Sequence, residues 1–255
     1  MKTSTLPRQQ HKKMLAQIAS REEVLLWIDE NGCLVIGIGV LKGGTGKTTS
    51  TIFLALYLAV TLGLKVAVVD TDDNSQSVDN WYQIREHRGE AVPFDIVSFD
   101  PKDEDADLDA LIDSLKETHQ IVIVDLGGAG KETYWEMCTV SNFVLLPVAP
   151  SGYEISRIRA SLKQASKGAK ANRDLRAAVF MVKCSGNNTL ADEQRPVLEA
   201  ILAEDPAGVP TTLVPEQFQI SGSPDYPRSW ETTPKRAQLE EFGHLFRYLM
   251  KGLVV

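Results

Sequence analysis

Lys42-Gly43-Gly44-Thr45-Gly46-Lys47-Thr48-Thr49 decides the fold of this 255-residue chain. The apolar run Cys33-Leu34-Val35-Ile36-Gly37-Ile38-Gly39-Val40 leads into it, and a helix-like run over 50–62 follows. Strand, glycine-rich turn and helix together make a phosphate-binding loop. The glycines let several backbone N–H groups converge on one anion, and the helix N-terminus behind them adds its positive dipole end. Lys47 brings a charge for terminal phosphates, and the Thr48 hydroxyl suits a magnesium ion. The common pattern G-x-x-x-x-G-K-[ST] is incomplete here, because Leu41 stands where its first glycine would be, while Lys42 is an additional cation.

Outward from this loop, strand and helix patterns alternate. Strands are expected at 34–40, 65–70, 94–97, 120–125, 143–148, 178–183 and 212–214, with helices near 46–62, 75–88, 105–118, 131–139, 153–171, 190–203 and 235–251. Near-continuous Val/Ile/Leu runs mark strands covered on both faces. The expected fold is therefore α/β, a three-layer, doubly wound, mostly parallel sheet of about seven strands with helices on both faces, as in P-loop NTPases. One nucleotide-binding domain over 32–255 is preceded by an extension, 1–31. Two readings compete there: Met14, Ile18, Leu25 and Ile28 have helical spacing, whereas 24–28 and 33–38 flank an Asn31-Gly32 turn signal, and a helix followed by a hairpin is the reading preferred.

A hydrophobic content of 43% can fill a sizeable core, and a net charge of −7 argues against a generally basic nucleic-acid binder. Cys33, Cys138 and Cys184 lie far apart without C-x-x-C spacing and read as reduced thiols, and the histidines form no metal spacing. The first apolar run is too short for a signal sequence, so a cytoplasmic location is expected. No stretch reaches the ~20 apolar residues of a membrane span.

In open parallel sheets, ligands bind at the carboxyl ends of strands. Two ends are acidic. The second strand runs into Asp70-Thr71-Asp72-Asp73-Asn74-Ser75-Gln76, where Asp73 and Asn74 also suit a helix N-terminus. Ile121-Val122-Ile123-Val124 ends in Asp125, 78 positions after Lys47, the placement expected of a carboxylate that holds magnesium-bound water.

K-G-G-x-G-K-T-T resembles the deviant phosphate loop of the ParA/MinD group of P-loop ATPases. The 70–81 stretch resembles that group's second motif, D-x-D-P-Q with a following tryptophan (here Trp81), although Asn74-Ser75 interrupts it. After Asp125 the group usually carries proline, whereas this chain has Leu126-Gly127-Gly128-Ala129-Gly130. Leu145-Leu146-Pro147-Val148-Ala149-Pro150-Ser151 resembles its next strand and turn, which a dimer-interface helix often follows.

The resemblance implies a small ParA-type DNA-partition ATPase without an N-terminal helix-turn-helix domain. It implies ATP and Mg2+ as cofactors, bound by Lys42, Gly43, Gly44, Thr45, Gly46, Lys47, Thr48 and Thr49, with Pro215 near the adenine. Lys42, Lys47 and Asp72 would be catalytic, Asp72 by orienting water, while Thr48, Asp70 and Asp125 would serve the metal. A homodimer would form with ATP, Lys42 of each subunit reaching the phosphates of the other. Non-specific DNA and a ParB-like adaptor that stimulates hydrolysis would be partners, with nucleoid association in the ATP state.

Arg157, Arg159, Lys163, Lys167 and Lys170 form a basic stretch that reads either as a solvated helix face or as a patch for DNA phosphates. At the C-terminus, Phe242, Leu245, Phe246, Leu249, Met250 and Leu253 share a helical face. Core packing is preferred over a membrane-binding role there, because the polar side has few cations. The alternatives are a MinD-like ATPase cycling on a membrane surface, a non-enzymatic ATP-gated scaffold, and an iron–sulfur reductase that only Cys138 could serve.

Overall fold

Val, Ile and Leu without polar interruption leave a strand no solvent face, and here the central strands are buried from end to end. The computed structural model describes residues 8–41, 45–72, 77–127, 130–184, 189–204, 208–221 and 236–254. Among these, β1 (Leu34–Ile38), β2 (Val66–Asp70), β3 (Asp95–Ser98), β4 (Ile121–Asp125), β5 (Phe143–Val148), β6 (Arg176–Met181) and β7 (Thr211–Leu213) form one sheet in the order β3-β2-β4-β1-β5-β6-β7. Every pairing is parallel. The expected strands are all present, and the sheet is wholly rather than mostly parallel.

Alternation along each strand divides the core in two. Ile36, Ile38, Val68, Ile123 and Leu145 point to one face, where α2 (Arg21–Asn31), α3 (Lys47–Leu56), α4 (Ser77–His87) and α9 (Arg236–Lys251) contribute to the packing. Val35, Val69, Val124, Val144 and Leu146 point to the other, covered by α5 (Leu108–Lys116), α6 (Lys131–Val140), α7 (Gly152–Ala171) and α8 (Thr189–Glu204). Three layers result, as the strand and helix alternation requires.

The N-terminal extension departs from expectation. Residues 21–31 are helical, so the hairpin does not form. The Ser20 hydroxyl accepts the Glu23 N–H at 3.0 Å while the Glu23 carboxylate accepts the Ser20 N–H, and this reciprocal cap starts α2. Asn31-Gly32 ends the helix instead of turning a hairpin, with the Gly32 N–H donating to the Ile28 carbonyl at 2.9 Å. Asn-Gly serves both kinds of turn, and the capping box upstream decides between them. The segment shares the main core through Met14, Ile18, Ala19, Val24 and Ile28. The Ala19 N–H donates to the Arg247 carbonyl at 2.9 Å and Arg247 Nε donates back to the Ala19 carbonyl at 2.6 Å, which ties the α1 (Arg8–Leu15) to α2 corner onto α9.

The apolar face of α9 is spent in the core, as expected. Phe242, Leu245, Phe246, Leu249 and Met250 are buried, and the Phe242 ring lies 5.5 Å from Phe53 of α3. A membrane-binding role for this face would require the helix to leave that seat. Gly243 permits the approach: a Cβ there would lie 2.1 Å from a ring carbon of Tyr57, in the π-helical turn that extends α3. Gly243→Ala is expected to lower unfolding stability by about 1–3 kcal/mol in urea titration, because the added Cβ would overlap the buried Tyr57 ring. A parental midpoint would show that α9 is more loosely seated than this packing requires.

Candidate nucleotide site

At the carboxyl ends of β1, β2 and β4 the chain gathers Thr45 to Thr49, Asp70, Asp72 and Asp125. Ile38 pairs in register with Asp125, and Asp125 with Asp70, so two carboxylates sit side by side on adjacent strands beside the turn that opens α3. Gly46 begins that helix at φ +88°, a conformation that strains any L side chain. Lys42, Gly43 and Gly44 lie outside the described residues, as do Asp73, Asn74 and Gln76.

Lys47, the first residue of α3, is 7% exposed. Burial pulls its ammonium below the ordinary lysine range, while Asp125, Asp72 and Glu154 oppose that shift. Glu154 escaped the sequence reading. It stands in the first turn of α7, which is capped by the Ser151 hydroxyl, and only the fold brings it to the phosphate loop.

Asp125 is the deepest charged group of the site, at 1% exposure. Burial pushes its carboxyl up to about 7. The Thr48 and Thr51 hydroxyls and the Lys47 ammonium pull against this, and the Asp70 charge adds to it. Thr51 Oγ1 donates to Asp125 Oδ1 at 2.9 Å. Thr51 lies one helical turn beyond Lys47 and reads in the sequence as ordinary helix interior. Asp125 Oδ2 is buried with no hydrogen-bond partner among the described residues, and so is Thr45 Oγ1 in the loop itself. Two orphaned buried oxygens are costly unless something else meets them.

Asp70 caps the start of α4, while the capping expected of Asp73 and Asn74 falls outside the described residues. Its Oδ1 accepts the Asp72 N–H and its Oδ2 the Val78 N–H, both at 3.0 Å, which holds the start of α4. Burial raises its carboxyl and these backbone donors lower it. Trp81, offered as part of the second motif, is a packing residue: it is buried, stacks on Phe94 at a centroid distance of 5.9 Å, and carries Arg85 5.2 Å above its ring.

After Asp125 the backbone turns sharply against the second loop. The Gly127 N–H donates to Thr71 Oγ1 at 3.2 Å, a bond proline could not make. The glycine-rich departure from the family pattern thus has a structural correlate at Gly127; Gly128 and Ala129 lie outside the described residues.

The donor set can accommodate a hard cation. Among the described residues no three His, Cys, Asp or Glu side chains are placed to hold a metal by themselves. Magnesium, however, commonly keeps several waters and binds through one or two carboxylates plus substrate phosphates. An unpartnered Asp125 oxygen beside the Thr48 hydroxyl fits that mode.

The family model for the CobQ/CobB/MinD/ParA nucleotide binding domain matches residues 36–226. The chain belongs to this family. A search of curated proteins gave no match. Among solved structures, an ATP complex of McdA from Cyanothece has a TM-score of 0.63 at 12% identity, covering 86% of this chain and 96% of that one. ParA of pNOB8 bound to nonspecific DNA gives 0.58 at 14%, covering 86% and 99%. Cobyrinic acid a,c-diamide synthase from Mycobacterium smegmatis, with an ATP analog and magnesium, gives 0.59 at 16%, covering 86% and 96%. At these identities the likeness establishes a shared fold. Within the CobQ/CobB/MinD/ParA family, the match begins inside β1 and takes in the phosphate loop, both acidic strand ends and α7.

Farther from the loop the expected residues separate. Pro215 follows β7, three strands from β1 on the same rim, where it opens the single turn 216–218. Lys163, Lys167 and Lys170 line one exposed stripe of α7. Arg159 begins that stripe but is paired with Glu204 at 2.7 Å. Arg157 lies elsewhere, with its guanidinium 4.2 Å from the Tyr153 ring, and it lines a small cavity with Leu41 and Thr45. Four of the five cations therefore share one stripe, and Arg157 stands apart from it.

Burial pushes the Cys138 thiol up to about 12, and Cβ of that residue sits where a side chain on Gly168 would go. No described helix is long and apolar enough to cross a membrane.

Proposed function

We propose that this chain is an ATP-dependent, dimerising ATPase that partitions or positions DNA cargo and holds DNA non-specifically in its ATP state. The observation that carries the nucleotide chemistry is the buried pair at the sheet rim: Lys47 at the helix N-terminus and Asp125 with an unpartnered oxygen. Family membership and the exposed lysine stripe of α7 support the DNA-linked role.

In this reading the backbone N–H groups at the start of α3 and the Lys47 ammonium bind the β and γ phosphate oxygens. Thr48 and the open oxygen of Asp125 would hold the metal and its waters, and Asp70 would add charge beside them. When bound, magnesium neutralises the charge that builds on the transferring phosphoryl group. Asp72 orients a water for in-line attack on the γ-phosphorus. The bond to the bridging oxygen breaks, and ADP, phosphate and one proton leave. Lys42 reaches the phosphates held by the partner subunit, so ATP adds interface contacts that ADP lacks and shifts the population toward the dimer.

Cosedimentation with non-specific DNA and with liposomes, under ATP, ADP or no nucleotide, tests this. DNA retention only with ATP is expected, lowered about tenfold or more by Lys163→Glu combined with Lys167→Glu, and lowered again between 50 and 200 mM salt. Retention without nucleotide, or insensitive to salt, would refute the regulated patch. ATP-dependent pelleting with liposomes would favour the membrane-cycling reading, and absence of phosphate release with DNA and adaptor present would leave a scaffold.

A further inference from the structure

Thr71, between Asp70 and Asp72 in the chain, is fully buried, and its N–H and its hydroxyl are both engaged with the opposite loop. Its N–H and its hydroxyl both donate to the Asp125 carbonyl, at 3.1 and 3.0 Å, and the same hydroxyl oxygen accepts the Gly127 N–H. Gly127 in turn lies directly against Asp72. A Cβ on Gly127 would sit 2.2 Å from Asp72 Cβ, 2.3 Å from its Cα and 2.6 Å from its Cγ. One of these is backbone, so no rotamer change at Asp72 relieves the overlap. Asp72 is held from the other side by its N–H bond to Asp70 Oδ1.

We propose that Thr71 and Gly127 form a clamp that fixes Asp72 relative to Asp125, which makes both of them positioning residues for the water-orienting carboxylate. The proposal rests on Asp72 having that role. The clamp joins the ends of β2 and β4 through side chain and backbone, beyond the last strand pairing of Asp70 with Asp125. Its function is geometric: an attacking water aligned by Asp72 has to be in line with a phosphate placed by Lys47 and Asp125, and those groups are carried by different loops. A displacement of about 1 Å at such a site can cost about 100-fold in rate.

The test uses Gly127→Ala, Thr71→Val and Thr71→Ser in the full chain, with amide hydrogen exchange in nucleotide-free protein and hydrolysis in the presence of ATP, magnesium and DNA. Gly127→Ala is expected to speed exchange of the Asp72 amide by about tenfold or more, since a displaced Asp72 loses its bond to Asp70. It should lower kcat about 100-fold while nucleotide affinity stays within about threefold. Thr71→Val should speed exchange of the Gly127 amide and lower kcat, and Thr71→Ser, which keeps the hydroxyl, should restore both.

Unchanged Asp72 exchange in Gly127→Ala, or equal Gly127 exchange in the Val and Ser variants, overturns the clamp. So does loss of nucleotide affinity in step with kcat, which would mark a general collapse of the site. If Gly127→Ala does not fold, the Val and Ser pair decides. A parent that hydrolyses nothing while its exchange follows the pattern above keeps the clamp and removes the ATPase reading.

Discussion

The Asp125→Asn variant is expected to be more stable than the parent without nucleotide at pH 8, and to bind magnesium nucleotide far more weakly. A carboxylate at 1% exposure with one oxygen unpartnered costs folding free energy whenever it is ionised. In the folded chain its carboxyl holds a proton up to about 7, against an ordinary value of 3.8. Between those values the folded state binds more protons than the unfolded one, so the parent loses stability as pH rises through that window. The amide does not titrate. The gain should therefore be small at pH 4 and reach about 1–4 kcal/mol at pH 8, trimmed because Lys47 loses one of its opposing charges. Urea titrations at the two pH values read it. Affinity for magnesium nucleotide, by titration calorimetry, should fall about 10–100-fold. A variant no more stable than the parent at pH 8 would show that the carboxylate is paired after all.

Lys47→Ala is expected to abolish nucleotide-dependent behaviour as a whole. The ammonium is held at the helix N-terminus facing Asp125, Asp72 and Glu154, a buried arrangement with three acidic groups close to one cation. Removing it leaves those charges uncompensated where phosphate would arrive and takes away the cation that meets the phosphate oxygens, a loss of about 3–5 kcal/mol when a desolvated ionic contact is broken. Nucleotide affinity should drop at least about 100-fold, which 3 kcal/mol corresponds to. The ATP-dependent dimer should disappear in light scattering. If parent and variant remain equally monomeric with ATP and magnesium, the account of the loop as a dimer switch is wrong.

Much of the architecture is legible in the sequence. Uninterrupted Val/Ile/Leu runs specify strands buried on two faces, and their alternation with amphipathic helices specifies a parallel three-layer sheet. Asp125 was legible too, because a carboxylate at the end of such a strand has few other places to go. The hairpin failed at Asn31-Gly32 since that dipeptide ends helices and turns hairpins equally well, and the Ser20 to Glu23 capping box was the deciding signal. Within the basic stretch of α7, Arg157 lies apart from Arg159, Lys163, Lys167 and Lys170 because positions 157 and 159 lie on different sides of a helix, and Glu204 from α8 pairs with Arg159.

The rest depends on contacts between residues distant in the chain. Glu154 meets Lys47, and Thr71 meets Gly127, across separations no periodicity encodes. Asp70 was legible as a carboxylate at the rim but not as the cap of α4, since that role is a contact with the Val78 N–H eight positions on. The sequence alone determined the sheet, the phosphate loop and the candidate carboxylates, because strand burial and loop chemistry are local properties. Tertiary structure alone decided which carboxylate is left with an open oxygen, which is spent on backbone, and which rests against a glycine. Those outcomes follow from the register of β1, β2 and β4, where a shift by one residue would turn every one of these side chains to the other face.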